Sequence, residues 1–149
     1  MATDWMSFEC MHCGKMFTRK WYELSRAFER VHFLSPLSLD EVEIEDSEGI
    51  GVFCSQECLA VERAPVMRDE GVPIPAVRPD IGPIESCAKC SGPVDMSDWH
   101  LTCTDGCLVE ERDGLQILDV GYVAVVCREC APRSRTEQAA VPLASQASV

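Results

Sequence analysis

The sequence lacks the two patterns that would carry it into or across a membrane. A spanning helix needs about 18 consecutive apolar residues, and a secretory signal needs a basic region followed by an apolar one. The apolar runs of this chain are much shorter, and its first residues, MATDWMSFEC, contain neither region. We therefore expect a soluble, cytoplasmic protein with no membrane contact.

Lysine is scarce. Only Lys15, Lys20 and Lys89 are present, and 25 acidic residues bring the formal net charge to −12. Such a charge repels a phosphate backbone, so nucleic-acid binding would require a locally basic face. An excess of carboxylate with little lysine is also typical of salt-adapted surfaces, in which the acidity reflects the solvent.

The common catalytic signatures are also missing. The chain has no HExxH, no P-loop and no GxSxG motif. A zinc deaminase needs His-x-Glu and Pro-Cys-x-x-Cys; here Thr102 stands two residues after His100, and Ser86 precedes Cys87. A His-Asn-His nuclease is excluded because the chain contains no asparagine. We predict a protein without catalytic activity.

Cysteine, in contrast, is abundant and regularly paired. The spacings within pairs are C-x2-C or C-x3-C, which suit two ligands of one metal ion. A disulfide scaffold is disfavoured because nothing directs the chain to an oxidising compartment. The ten cysteines form five pairs: Cys10/Cys13, Cys54/Cys58, Cys87/Cys90, Cys103/Cys107 and Cys127/Cys130.

The first two pairs predict one zinc site. Gly14 directly follows CMHC and can adopt the positive φ that a metal-binding knuckle requires. Ser55 can cap a helix that starts beside the second pair. We assign the first zinc ion to Cys10, Cys13, Cys54 and Cys58.

The second predicted site combines the CAKC knuckle with CREC. The strand-like run Leu115–Val126 leads directly into CREC, and Asp113-Gly114 before it is a strong turn signal. We assign the second zinc ion to Cys87, Cys90, Cys127 and Cys130.

Cys103 and Cys107 remain open to three interpretations. They could replace Cys127 and Cys130 as ligands of the second zinc ion. They could form a third site with His100, although His100 would point to the opposite face of a strand from Cys103. Otherwise they form a free, redox-labile thiol pair in a turn.

A helix is predicted from Thr18, because four apolar residues recur with helical spacing. They are Trp21, Leu24, Phe28 and Val31. The other helix face would carry a basic surface that could contact nucleic acid or an acidic partner. Its residues are Arg19, Lys20, Arg26 and Arg30.

The remaining segments complete the predicted organisation. Residues 37–49 carry six carboxylates and predict an exposed strand that turns near Ser47–Gly49 into Ile50–Phe53. Prolines are concentrated in residues 64–85, which predicts an extended linker between two modules. The small, polar residues 132–149 predict a disordered tail.

Residues 8–60 resemble the FCS/MYM/TRASH group of treble-clef zinc fingers. The matching residues are Cys10-x2-Cys13-Gly14-Lys15, Phe17 and Phe53-Cys54-Ser55-x2-Cys58. In that group four cysteines hold a structural zinc ion, and members bind proteins, bind nucleic acids or sense metals. This chain departs from the group in the forty residues between its cysteine pairs, about twice the usual gap. The second half resembles zinc-ribbon modules of uncharacterised prokaryotic proteins.

These observations predict a small α+β protein that holds two Zn²⁺ ions. Residues 1–63 would form a treble-clef module with an inserted helix and an acidic hairpin, and residues 86–131 a zinc-ribbon-like module. Closed four-cysteine sites favour a regulatory or adaptor role with a protein partner. A nucleic-acid-binding regulator is the alternative, and a metal sensor a third.

Overall fold

The computed structural model describes residues 4–34, 40–80 and 82–132. The tail predicted to be disordered lies outside these ranges from residue 133 onward, as do Leu37 and Leu39 of the acidic segment. Within these ranges the elements are β1 (Ser7–Glu9), β2 (Met16–Thr18), β3 (Lys20–His32), β4 (Glu41–Phe53), α1 (Gln56–Asp69), β5 (Ile84–Ser86), β6 (Pro93–Asp95), β7 (His100–Glu111) and β8 (Gly114–Val126).

Four long strands form one antiparallel sheet in the order β4-β3-β7-β8. The strands β3 and β4 form one long hairpin, and β7 and β8 form the other. The hairpins join through β3 and β7, which pair from Lys20 opposite Val109 to Glu29 opposite His100. The two modules predicted to stand on either side of a linker therefore share a single sheet.

The same order of elements occurs in both halves of the chain. Each half starts with a short hairpin, β1-β2 or β5-β6, whose connection carries a C-x2-C pair. A long hairpin follows, and the second cysteine pair comes directly after its last strand. The helix α1 is found only in the first half of the described chain.

The helix α1 covers one face of the sheet. Its residues Leu59 and Met67 are buried in the same apolar cluster as Leu24 of β3 and Phe53 of β4. The backbone N–H of Cys58 donates to the Ser55 hydroxyl (3.1 Å), so Ser55 is the N-cap, as predicted.

The predicted helix from Thr18 is wrong, because Lys20–His32 is a strand. In a strand, Trp21 and Val31 face one side and Leu24 and Phe28 the other. Since β3 lies between β4 and β7 and is partly covered on both faces, apolar residues occur on both sides and mimic helical spacing. The aromatic residues Trp21, Tyr22 and Phe28 and the β-branched Val31 also favour a strand.

The predicted turn at Ser47–Gly49 is also wrong. Glu41–Phe53 is one continuous strand, and its register against β3 shifts at two places, opposite Leu24/Ser25 and Phe28/Glu29. Such bulges bend an edge strand without ending it. The predicted exposure of the acidic segment is confirmed, since Glu41–Ser47 is exposed along the sheet edge.

The segment predicted as an extended linker is shorter and is attached to the fold. The helix continues through Pro65 to Asp69, because Val66 and Met67 are buried against the sheet. Beyond the helix, Arg78 forms two hydrogen bonds of 2.7 and 2.9 Å to the Asp105 carboxylate in β7. The proline-rich segment is therefore not a free spacer.

The turn of the β7-β8 hairpin lies where Asp113-Gly114 predicted it, but β7 also runs through the Cys103–Cys107 segment, for which a turn was predicted. A turn at Arg112 and Asp113 connects the two strands, and Gly114 has a φ of 139°. The last part of β8, Val123–Val126, is buried, and its first part is exposed. In the part of the chain that is described, no helix is long and apolar enough to cross a bilayer.

The close approach of β7 and β8 at Gly106 predicts a stability difference between two glycines. A Cβ at Gly106 would lie 2.5 Å from the backbone oxygen of Asp119, whereas one at Gly82 would come no closer than 3.6 Å to any neighbour. We expect Gly106→Ala to lower the free energy of unfolding by about 2 kcal/mol. Gly82→Ala, the control, should stay within about 0.5 kcal/mol of the parent.

Urea unfolding of both zinc-loaded variants measures this difference. Equal stability of the two variants would contradict the tight packing of β8 against β7.

Candidate metal centres

The first cysteine cluster forms where the β1-β2 hairpin meets the end of β4. Cys10 and Cys13 lie in the hairpin connection, Cys54 directly follows β4, and Cys58 lies in the first turn of α1. Their four sulfur atoms lie within 4.8 Å of one another. The Cys13–Cys54 and Cys54–Cys58 sulfur distances are 3.6 and 3.9 Å. Tetrahedral zinc with bonds of about 2.3 Å would place sulfurs about 3.8 Å apart.

Backbone hydrogen bonds shape this knuckle. The N–H of Gly14 donates to the Cys10 carbonyl (2.9 Å), and Gly14 has a φ of 76°, as predicted. The N–H of Met11 donates to the carbonyl of Val52 in β4 (3.0 Å). The knuckle is thus attached to the strand that supplies the second cysteine pair.

The second cluster repeats this arrangement at the end of β8. Cys87 and Cys90 lie between β5 and β6, and Cys127 and Cys130 follow β8. These four sulfurs also lie within 4.8 Å of one another, with 3.9 Å between Cys90 and Cys127. The N–H of Ala88 donates to the carbonyl of Val125 in β8 (2.8 Å). The predicted grouping of the eight cysteines is confirmed.

Backbone N–H groups lower the pKa of one cysteine in each cluster. Burial alone would raise the pKa of Cys87, but N–H donors from Cys127, Cys90 and Lys89 outweigh it and lower the pKa to about 6. The donor–sulfur distances are 3.3, 3.5 and 3.4 Å. The pKa of Cys10 is lowered in the same way. Burial raises it, but N–H groups of the same knuckle and of Cys54 outweigh this effect and lower the pKa to about 6. A thiolate is the form that binds zinc.

Cys103 and Cys107 join neither cluster. Both lie inside β7, whereas a turn was predicted for them. Four residues of strand separate their Cα atoms by about 13 Å, too far for a disulfide. Burial raises the pKa of Cys103 to about 12, which keeps it a neutral thiol. Within the described residues all ten cysteines are free thiols, so no disulfide scaffold is formed there.

The two alternative ligand sets are therefore not formed. The described part of the chain contains no further group of three or more ligating side chains. His100 pairs with Glu29 and Cys103 with Arg26, so the two side chains lie on opposite faces of the sheet, as predicted. The Nδ1 of His100 lies 2.8 Å from the carbonyl oxygen of Asp98.

The four basic residues of the predicted helix face are spread along β3 and its start. Arg19 stacks on the ring of Trp5 (4.5 Å), and Arg30 donates to Glu43 (2.7 Å). Arg26 is buried and donates to Glu70 at the end of α1 (3.4 Å), and Lys20 lies 5.9 Å from the centre of the Tyr22 ring. Three of the four side chains therefore have an acidic or cation–π partner within 4.5 Å.

Sequence reasoning missed one residue that shapes the second site. Ser91 has a φ of 63°, and its N–H donates to the Cys87 carbonyl (2.9 Å), the same bond that Gly14 makes to Cys10. Aligning CMHCG with CAKCS would have placed Ser91 at the glycine position. The second knuckle therefore holds a serine in a left-handed conformation.

Comparison with known proteins identifies no relative: no protein-family model, no curated protein and no solved structure matches this chain. The geometry nevertheless defines a class. The chain is a protein with two four-cysteine clusters that can hold two zinc ions, both attached to one shared antiparallel sheet.

The ligand assignment predicts how the zinc content responds to substitution. Native mass spectrometry of protein purified without chelator should show two zinc ions. Cys54→Ala should remove one of them, because three sulfurs leave the shell incomplete. Cys103→Ala, a matched change outside the clusters, should retain both. Loss of a zinc ion from Cys103→Ala would overturn the assignment.

The knuckle conformations predict a reciprocal pair of stability changes. A left-handed residue other than glycine costs about 1 kcal/mol or more. Ser91→Gly should therefore raise the free energy of unfolding of the zinc-loaded protein by about 1 kcal/mol, and Gly14→Ser should lower it by a similar amount. Urea titrations followed by tryptophan fluorescence test both. Changes of the same sign in the two variants would contradict the shared knuckle geometry.

Proposed function

We propose that this is a non-catalytic protein in which two structural zinc ions stabilise an interaction module with a regulatory or adaptor role. The observation that carries the proposal is the closed ligand set: four cysteine sulfurs converge at each site. Four thiolates fill the tetrahedral shell and leave no position for a catalytic water. Ten free thiols among the described residues also suit a reducing compartment, so we place the protein in the cytoplasm.

The position of the clusters supports a structural role for zinc. Each cluster joins a short hairpin to the end of a long strand, β4 in one case and β8 in the other. Neither half of the chain is large enough to depend on an apolar core alone. Zinc binding at such sites is worth on the order of 10 kcal/mol and is linked to folding.

The order of elements supports the resemblance to treble-clef fingers. In the first half a knuckle and a long hairpin are followed by α1, whose first turn carries Cys58. The second half has the knuckle and the hairpin but no helix after Cys130 in the part that is described. We therefore interpret the first half as a treble clef with an enlarged hairpin and the second as a zinc ribbon.

A protein partner is favoured over nucleic acid by the surface charge. The formal net charge is −12, and the edge strand β4 exposes a run of carboxylates. Of the cations once assigned to a basic face, Arg26 is buried against Glu70 and Arg30 is paired with Glu43. Few cations on β3 are left to neutralise phosphates.

A binding titration tests this proposal. We expect no binding of fluorescein-labelled duplex DNA or single-stranded RNA by anisotropy, even at low ionic strength. Binding that weakens steeply with added salt would show phosphate neutralisation and would overturn the proposed function. In that case Arg19→Gln and Lys20→Gln would test whether the start of β3 is the contact surface.

A further inference from the structure

A groove of about 820 Å³ crosses the face of the sheet opposite α1. Residues Glu23, Ser25, Ala27 and Glu29, which alternate along β3, line it. The neighbouring residue Arg26 pairs with Glu70 at the end of α1, so α1 lies on the other side of the strand. The groove therefore occupies the face of the sheet that the helix leaves uncovered.

Apolar side chains form the two walls of the groove. Val42 and Ile44 project from β4, and Ile117 and Val120 project from β8. All four side chains are between 45% and 62% exposed. The solvent face of an antiparallel sheet is normally polar, and an apolar patch rimmed by polar residues marks an interaction surface.

The floor between these walls carries two acidic side chains, Glu23 and Glu29. Glu29 is only 5% exposed and accepts a hydrogen bond from the hydroxyl of Thr102. Glu23 is partly buried, and this burial raises its pKa. A buried carboxylate is costly unless a cation accompanies it.

No cation of the described chain pairs with either carboxylate. Arg78 lines the groove, but its guanidinium forms hydrogen bonds of 2.7 and 2.9 Å with Asp105. Arg26 also lines it and is held by Glu70. Among the described residues, the groove thus combines an acidic floor without a counter-ion with apolar walls that nothing covers.

We infer that this groove binds a basic amphipathic segment of a partner protein, with a Lys or Arg over Glu23 and Glu29 and apolar side chains against the two walls. This inference rests on the proposed function and specifies the chemistry of its partner. An amphipathic segment laid in an apolar groove is a common mode of peptide recognition. Complementary charge would fix its position and exclude acidic competitors.

Charge and shape argue against other occupants. A second copy would bring a further net charge of −12 and would place its own Glu23 and Glu29 opposite those of the first. Like charges in such a contact are costly. The walls are exposed side chains on separate strands, which a long segment can cover together and a small amine cannot.

Synthetic peptides and the full chain test the inference. The probes are fluorescein-labelled peptides of Arg and Leu, about 14 residues or four helical turns long. One alternates Arg and Leu with a strand period, and the other places Leu on one helical face. Peptides with Glu in place of Arg serve as controls for charge. We expect at least one Arg peptide to bind the zinc-loaded protein and neither Glu peptide to do so.

Two sets of substitutions locate the binding. Glu23→Gln keeps the shape of the floor and removes a charge, and it should weaken binding about tenfold. The double variant Ile44→Thr and Ile117→Thr keeps β-branched side chains and removes apolar wall, and it should weaken binding about tenfold as well. Leu118→Thr and Glu111→Gln are exposed controls outside the groove and should leave the affinity unchanged.

Three results would overturn the inference. They are absence of binding by both Arg peptides, equal loss of affinity in the groove and control variants, and self-association that the double wall variant abolishes. The last result would assign the groove to a second copy. None of these results would indicate nucleic-acid binding. The DNA and RNA titration therefore tests the proposed function independently of this inference.

Discussion

The antiparallel pairing of β3 with β7 is the constraint on which the rest of the structure depends. It joins two hairpins that are distant in the sequence into one sheet, from Lys20 opposite Val109 to Glu29 opposite His100. The same pairing places the two metal clusters at opposite ends of the central strands. The first cluster follows Phe53, which pairs with Tyr22, and the second follows β8 beside the start of β7. Each zinc ion would therefore hold the end of one outer strand and its knuckle.

The two faces of this sheet have different partners. On one face, α1 buries its apolar residues, and two ion pairs fix it: Arg26 with Glu70 and Arg63 with Asp105. Asp105 also binds Arg78, so a single carboxylate of β7 holds both the helix and the segment that follows it. In the part of the chain that is described, the opposite face is open between exposed apolar side chains. The helix thus covers one face of the sheet, and the proposed adaptor role assigns the other face to a partner.

The metal centres were predictable because each pair of ligands is marked by a short sequence motif. Two cysteines separated by two or three residues can reach one ion from a single turn, and Gly14 and Ser55 support the turn and the helix start beside them. The turn between β7 and β8 was predictable for the same reason, since Asp113-Gly114 marks it. The exclusion of Cys103 from the sites was less certain from sequence. It follows from its position inside β7, where it is buried and distant from Cys107.

The sequence alone determined the first group of four cysteines, the exposed acidic strand and the small α+β class, because spacing and composition act over short distances. It favoured the second group, and the structure excluded Cys103 and Cys107 from it. Tertiary structure decided the secondary structure of Lys20–His32. This segment is a strand because β4 and β7 pair with it on its two sides. Tertiary structure also decided that the proline-rich segment begins as helix and that the two halves form one sheet. Pairing between distant strands is hard to predict from the local sequence, since it depends on which faces of the strands are covered once the chain has folded.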